Sequence, residues 1–420
     1  MTEPHRLGAG GYLALLVVLA LAAGARGWYV GAVADHGNGA GPVAVQGEPG
    51  VADSDAGSGQ EIATGTGRLY PWLLGRLTEA CGDAAVARQA ARWIQCGLGA
   101  LTAVLYFLFA SRAFQSRLVG VLAGLFCAVY PFWIVNTTEL TDGVLATFLL
   151  AACLWLGARG SGSGGALTSW FYGVALAGLV VVRAALLPFA VVAELWFLWR
   201  CRTLPRGWLC AVLAFLGLAT GLSPWAWQNF QNVHGPAPVV DAAYLNLWIG
   251  NNPSASGGPL PPAMAEQAPP TDRERARAAW QEVTDNPAGT IQRRLWAGLG
   301  FIFGDDWFQH RRLWQDVPAD ARWSEPPEWL ARSQAAILSG ALLGMLLLAV
   351  FGWRWSYGWR DAVPAALAVT LVPLPYFVSH AGALHGPRLP LDGVFLCYAA
   401  FALAYLVSPR GRSWFSAAEN

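Results

Sequence analysis

The chain has 420 residues, of which 55% are hydrophobic and 13% charged, with a formal net charge of +1 and a mean hydropathy of +0.39. This balance excludes an ordinary soluble globular domain, and without a basic excess there is no global pull toward nucleic acid. All 27 basic side chains are arginine, a bias that, with the Ala and Gly richness, suits a GC-rich bacterial genome.

Ten apolar runs follow in chain order: Gly11–Ala25, Trp93–Ala110, Leu118–Val135, Gly143–Gly157, Trp170–Val182, Ala184–Trp199, Trp208–Leu222, Ala335–Phe351, Ala362–Val378 and Val394–Val407. A lipid core needs about 20 mostly apolar residues per helix, and several runs reach that only with their flanks. Backbone groups in lipid must be satisfied within the segment, so the runs are expected to be helices. The expectation is an all-α polytopic bundle of about ten spans. Many of the 22 Trp sit at run ends, where an interfacial aromatic belt belongs. The first run ends in small residues, LAAGARG, in the manner of a signal-peptide cleavage site. An uncleaved first helix keeps the alternation of the loops.

Arginines mark one side. Arg6, Arg112 and Arg117, Arg159, Arg200, Arg202 and Arg206, Arg354 and Arg360, and Arg410 and Arg412 fall in alternate connections. By the positive-inside rule that side is cytoplasmic. The opposite side carries two long segments, Arg26–Arg92 and Trp225–Arg332, and short turns near Asn136, Arg183 and His385. The chain then divides into an N-terminal transmembrane module over 1–222 with its outer loop 31–92, an outer region over 223–332, and C-terminal transmembrane helices over 333–420.

Within the first outer segment, Gly31–Gly67 is rich in Gly, Ala, Asp and Ser and reads as a loop. Arg68–Thr78 follows a pattern expected of a short interfacial helix. The second outer segment begins at Ser223–Pro224 and holds a Gly/Pro-rich stretch, Asn251–Pro270. Thr271–Thr284 reads as a polar helix capped by Thr271 or Asp272 and ended by Asn286–Pro287. In Gly289–Phe303, Ile291, Leu295, Trp296, Leu299 and Ile302 recur at helical spacing, as on a helix lying at a membrane surface.

Polar groups collect at the outer ends of the runs. Asp35 and His36 follow the first; Glu139 and Asp142 lie in NTTELTDG; Arg183 interrupts LVVVRAALLPF; Arg388 lies in HGPRLPLD. Carboxylates and guanidinium groups at one interface suit chemistry on a charged lipid head group: one takes a proton from an attacking hydroxyl, the other holds a phosphate through paired hydrogen bonds. Each residue also has a structural role open to it. Asp35 and His36 fit a solvated loop, Asp142 a helix N-cap, and Arg183 a turn or an interfacial anchor. Glu194, inside a run, lies toward the cytoplasmic end within reach of Arg200 or water. Of seven Cys, six lie in or beside apolar runs and only Cys81 lies in a polar loop, so no disulfide framework is expected. No His/Cys spacing supports a metal site, and neither a P-loop nor GxSxG is present.

Several stretches resemble the polytopic GT-C glycosyltransferases, in the family 39-like branch of protein mannosyltransferases and lipid A aminoarabinose transferases. RLYPWLL at Arg68–Leu74 is similar to that branch's P-x-x-Y-P stretch. Arg112–Leu149, with Pro131 before a turn and Leu140–Thr141–Asp142 opening a helix, resembles R-x-F…L-x-x-P-F…L-T-D-P-L-L. YLNLWIGNNP at Tyr244–Pro253 and RLPL at Arg388–Leu391 resemble further family motifs. The matches follow the family order over most of the chain.

The resemblance implies a GT-C fold and sugar transfer on the outer face of a bacterial inner membrane. The donor would be a polyprenyl-phosphate-linked sugar and the acceptor a protein, lipid or glycan; membrane lipids would be partners, nucleic acid would not. No cofactor is implied, and a divalent metal stays possible without sequence support. The family's base is an acidic residue soon after the first span. Asp35 holds that place, with Asp-His where the family has Asp-Glu, and Asp53 and Asp55 in VADSDAG stand in reserve. Asp142 joins the catalytic candidates. Arg68, Tyr70, Glu139, Arg183, Asn251 and Arg388 are the candidates for substrate binding. Two other classes stay open: a transporter or flippase of a lipid-linked precursor, and a non-catalytic relative.

Overall fold

The computed structural model describes residues 9–36, 69–163, 165–232, 243–252, 269–303, 343–355, 360–379 and 388–407. Among these, helices account for the regular structure and there is no strand.

The helices are α1 (Ala9–His36), α2 (Leu69–Cys81), α3 (Ala84–Ala113), α4 (Arg117–Val129), α5 (Pro131–Asn136), α6 (Gly143–Ser163), α7 (Ala166–Val182), α8 (Leu187–Cys201), α9 (Gly207–Asn232), α10 (Ala243–Asn251), α11 (Asp272–Asp285), α12 (Pro287–Phe303), α13 (Leu343–Trp355), α14 (Val363–Leu371), α15 (Leu374–Ser379) and α16 (Leu389–Val407). Among the described residues six segments are long and apolar enough to cross a membrane: Ala9–Gly31, Ala84–Ala113, Gly143–Gly160, Ala184–Cys201, Gly207–Trp227 and Leu389–Val407. Shorter apolar stretches, Arg117–Val129, Ala166–Val182, Leu343–Trp355 and Val363–Val378, the last shared by α14 and α15, fall in the other runs.

Helix ends follow local chemistry. Asp83 caps α3, its carboxylate accepting from the Ala85 and Val86 amides at 2.6 and 3.0 Å. Those bonds hold the Asp83 carboxyl below the usual carboxylate range. Thr271 and Glu274 form a reciprocal capping box at the start of α11, and Asn286 ends it, as the sequence predicts. Pro131 separates α4 from α5 at the extended residue Tyr130. Arg183, extended at φ −140°, breaks α7 from the 3₁₀ turn Ala184–Leu186 that leads into α8.

Several boundaries differ from the sequence reading. The runs Leu118–Val135 and Ala362–Val378, each expected as one span, are broken, the first at Tyr130–Pro131 and the second between Leu371 and Leu374. The first helix runs on to His36, so Arg26 lies inside it and not in an outer loop. Helix α9 continues through Pro224 to Asn232, past the expected loop start at Ser223–Pro224. An internal proline removes one backbone bond and crowds the carbonyl four residues back, at a cost of about 3 kcal/mol, yet the helix continues through it. Cys81 is the last residue of α2 and half-buried, not a loop residue.

α16 is the central span: 72% of its apolar window is buried, against 17% for the window in α9. It packs chiefly on α4 and α6, with smaller contacts to α3 and α14. Phe401 stacks on Phe114 at 4.5 Å between ring centroids, and Tyr398 meets Phe114 edge-on at 5.9 Å. Helices α7 and α9 pack backbone to backbone. A Cβ at Gly173 would lie 1.9 Å from Ala214 O, and one at Gly217 would lie 2.1 Å from Trp170 O. Backbones approach this closely only where side chains are absent, which is how small residues drive helix association in lipid.

Candidate functional site

The turn before α6 is held from the side by α3. Gln95 is buried, and its Nε2 donates to Thr137 O at 3.1 Å and Glu139 O at 2.8 Å. Arg92 Nε donates to Thr138 O at 3.3 Å. Tyr70 OH, on α2, donates to Gln95 Oε1 at 3.1 Å. Burial, and secondarily the charge of Asp142, push the Tyr70 phenol above its ordinary pKa, so it stays a hydrogen-bond donor at neutral pH.

Asp142 stands at the head of α6, where its carbonyl accepts from Ala146 N at 2.8 Å. Its carboxylate is taken by Arg183. Nε reaches Oδ2 at 2.7 Å and an Nη reaches Oδ1 at 2.8 Å, a side-on fork. The side chains are 0% and 3% exposed, so water does not compete for them. Two residues 41 positions apart thus tie the start of α6 to the break between α7 and α8.

Arg388 begins α16 and pairs within its own turn. Its Nε donates to Asp392 Oδ1 at 2.6 Å, and both side chains are fully buried. Tyr130 OH donates to Asp392 Oδ2 at 2.8 Å. Arg388 also donates to Ile302 O on α12 and lies 5.6 Å from the centroid of the Phe132 ring. Trp133 Nε1 donates to Leu389 O at 3.1 Å, and Tyr106 OH to Pro390 O at 3.3 Å. An acidic residue in the first turn also meets the positive end of the helix dipole.

Asn251 ends α10. Its Nδ2 donates to Leu247 O at 2.6 Å, and its Oδ1 accepts from Arg294 of α12. Arg294 donates further to Gly250 O at 3.1 Å and Phe377 O at 2.8 Å. Burial, then the neighbouring Arg293 charge, lower the Arg294 pKa from its ordinary value.

These groups form one connected network. Tyr70 reaches the turn before α6 through Gln95. Gly143 abuts Leu389: a Cβ there would lie 3.3 Å from a Leu389 methyl. Helix α12 carries both the Arg294 that holds Asn251 and the carbonyl that Arg388 meets. Tyr70, Asp142, Arg183, Asn251 and Arg388 are therefore brought together at one end of the helices. Glu139 is exposed beside them, its carbonyl engaged by Gln95. Asp35 lies on the last turn of α1, where only the backbone is described. Asp53, Asp55 and Arg68 lie outside the described residues.

Three members lie outside the residues expected from sequence. Asp392 stands four residues after Arg388, a spacing that signals a helical pair. Gln95 is a polar residue inside an apolar helix, which is itself a signal. Arg294 gave none, since its partners are two backbone carbonyls and an amide from other helices. The expectation that Glu194 reaches Arg200 is also corrected. Arg200 turns to Asp361 at 3.3 Å, and neither Glu194 oxygen has a hydrogen-bond partner.

Among the described residues no three His, Cys, Asp or Glu side chains gather to hold a metal ion. No model of a known protein family matches the chain, and no curated protein matches it in sequence.

Proposed function

We propose that the protein is a membrane glycosyltransferase of GT-C type with about ten spans. It passes a sugar from a polyprenyl-phosphate donor to an acceptor hydroxyl or amine at the outer face of a bacterial inner membrane. The observation that carries this reading is the meeting of four separate stretches, around Tyr70, Asp142, Asn251 and Arg388, in one polar network at the ends of the helices. These are the stretches on which the sequence resemblance rests.

In the reaction, an acceptor oxygen or nitrogen attacks the anomeric carbon while its proton passes to a carboxylate. The bond from that carbon to the phosphate oxygen breaks, and the lipid phosphate leaves with the electron pair. The base is Asp35, on the last turn of α1, with Asp53 and Asp55 next in order. Asp142 is less suited to that task because both its oxygens accept from Arg183. Arg183 and Arg388 each face a buried carboxylate, so a phosphate reaches either guanidinium only by exchange for Asp142 or Asp392. Arg68 is the cation we assign to first contact with the donor.

The test is release of polyprenyl phosphate from polyprenyl-phosphate mannose and pentose donors by protein in nanodiscs. Loss of a general base costs about 10²–10⁴ in rate. If Asp35→Asn, Asp53→Asn and Asp55→Asn all keep wild-type turnover, the base assignment fails. Orientation is tested separately: a reporter after Arg206 belongs in the cytoplasm and one near Gly258 outside.

One observation favours a second reading, transport of a lipid-linked precursor. Glu194 is buried within α8 with neither oxygen hydrogen-bonded, and intramembrane carboxyls mark transport pathways. Movement of an intact labelled donor between vesicle leaflets, without release of polyprenyl phosphate, selects that reading.

A further inference from the structure

A small cavity, its wall mostly apolar with a few polar groups, lies between α1, α3, α5 and α6, lined by Arg26, Gly99, Thr102, Trp133, Asn136, Val144 and Thr147. Its volume is about 10 Å³, enough for one water-sized group and no more. Nothing in the networks above uses it.

The donors and acceptors on its wall decide what it takes. Arg26 is fully buried. Its terminal nitrogens donate to Ala22 O at 3.1 Å, Ala128 O at 3.0 Å and Cys127 O at 3.0 Å. Cys127 and Ala128 belong to the last turn of α4, whose carbonyls have no donors within their own helix. That turn also carries the negative end of the helix dipole, so it offsets the guanidinium charge. Arg26 Nε has no partner, and neither has Asn136 Oδ1, although both are buried and both line the cavity. The hydroxyl hydrogens of Thr102 and Thr147 are spent on Leu98 O and Gly143 O, each at 2.7 Å, which leaves their oxygens as acceptors. Trp133 Nε1 is spent on Leu389 O.

The wall thus offers donors, Arg26 Nε–H and the Asn136 amide nitrogen, and acceptors, Asn136 Oδ1 and the two threonine oxygens. An anion would meet those three oxygens. A metal cation would meet the guanidinium. A hydroxyl-type oxygen fits both sides of the inventory: it accepts from Arg26 Nε–H and donates to Asn136 Oδ1 or a threonine. Gly99 completes the seat. A Cβ at that position would lie 2.6 Å from Arg26 Nε, so a larger residue would push the guanidinium from its place.

We propose that this cavity is a binding site for a single hydroxyl-type oxygen, bridged between Arg26 Nε and Asn136 Oδ1. Two sources supply that chemistry, a water molecule and an alcohol group of a carbohydrate. The site is independent of the transfer reaction proposed above.

The experiment is a crystal or cryo-electron map of the full chain in lipid, at a resolution that shows ordered water. Maps with and without polyprenyl-phosphate mannose are compared. One oxygen peak between Arg26 Nε and Asn136 Oδ1 is expected. An isolated peak in both maps identifies water; a peak continuous with the sugar in the second identifies a ligand hydroxyl; either supports the site. Gly99→Ala is expected to abolish the peak, and Asn136→Leu to remove or weaken it. An empty cavity in the wild type overturns the proposal, as does a peak unchanged in Asn136→Leu. Thermal unfolding in chloride and in gluconate at equal ionic strength is expected to coincide. A chloride-dependent rise in Tm that Arg26→Gln removes would show an anion site instead.

Discussion

Replacing Asp142 by alanine takes away the carboxylate that receives two hydrogen bonds from Arg183. Both side chains are out of reach of water, at 0% and 3% exposure, so solvent cannot replace what is lost. Breaking a buried pair from one side costs about 3–5 kcal/mol, because the other charge is stranded. That is about two to four powers of ten in the unfolding equilibrium. The chain supplies its own control. The Arg76–Glu79 pair is 64% and 67% exposed, and Glu79→Ala should cost under about 1 kcal/mol. Removing both buried charges, as Asp142→Leu with Arg183→Met, should destabilise less than Asp142→Ala alone, since no charge is then stranded. Unfolding by denaturant titration, followed by tryptophan fluorescence, puts these three variants and the singles Asp142→Leu and Arg183→Met on one scale. If Asp142→Ala costs no more than Glu79→Ala, or if the double variant shows the sum of its singles, the pair is not the tie described above.

Arg388→Ala strands Asp392 in the same way, so inserted yield and transfer per inserted molecule should both fall; Arg388→Lys keeps charge without the planar fork and should fall between. Full specific activity and normal yield in Arg388→Ala would remove Arg388 from both roles. The Asp83 cap gives a pH signature. Its carboxyl is depressed in the folded state, so its contribution is present above the unfolded pKa and is lost as pH falls through the folded value. Protection of the Ala85 and Val86 amides, taken relative to intrinsic exchange at each pH, should hold steady at neutral pH and fall only in strong acid, below about pH 4. Asp83→Ala should be unprotected there at every pH, and an acid-dependent loss of protection that survives in that variant would refute the assignment. Gly217→Leu should separate α9 from α7 and lose folded protein, with overpacking worth about 1–3 kcal/mol or more. Gly10→Ala, with nothing within 4 Å of its Cβ, should be silent. Equal yields from the two would argue against close contact of the backbones.

Much of this architecture was legible because it is written in local chemistry. The capping box at Thr271 and the short helix expected over Arg68–Thr78 each depend on residues within a few positions, whereas the break at Pro131 falls inside a run expected as one span. The apolar runs announce helices because lipid leaves the backbone no alternative. What stayed hidden depends on distance along the chain. Nothing near Asp142 names Arg183 as its partner, 41 residues away. Nothing near Asn251 names Arg294. Arg26 misled for a physical reason: one charge after an apolar run looks like the end of a span. Here the charge is absorbed by the carbonyls of α4, and the helix goes on. The Arg388–Asp392 pair was legible by its spacing of four, yet the arginine alone drew notice.

The placing of α16 bears on the order in which the bundle is built. This most enclosed span is also the last of the described helices to leave the ribosome. Until it arrives, the faces of α4 and α6 that it covers must rest against lipid, and Phe114 and Tyr106 wait without their partners. Its charges are arranged for a late arrival. Arg388 and Asp392 neutralise each other within one turn, so the helix brings no uncompensated charge into the membrane. Asp142 is made long before Arg183 and meets it only when α7 and α8 have folded back. The final helix is thus self-sufficient in charge and dependent in packing. Without it, the faces of α4 and α6 that it covers form an open apolar groove.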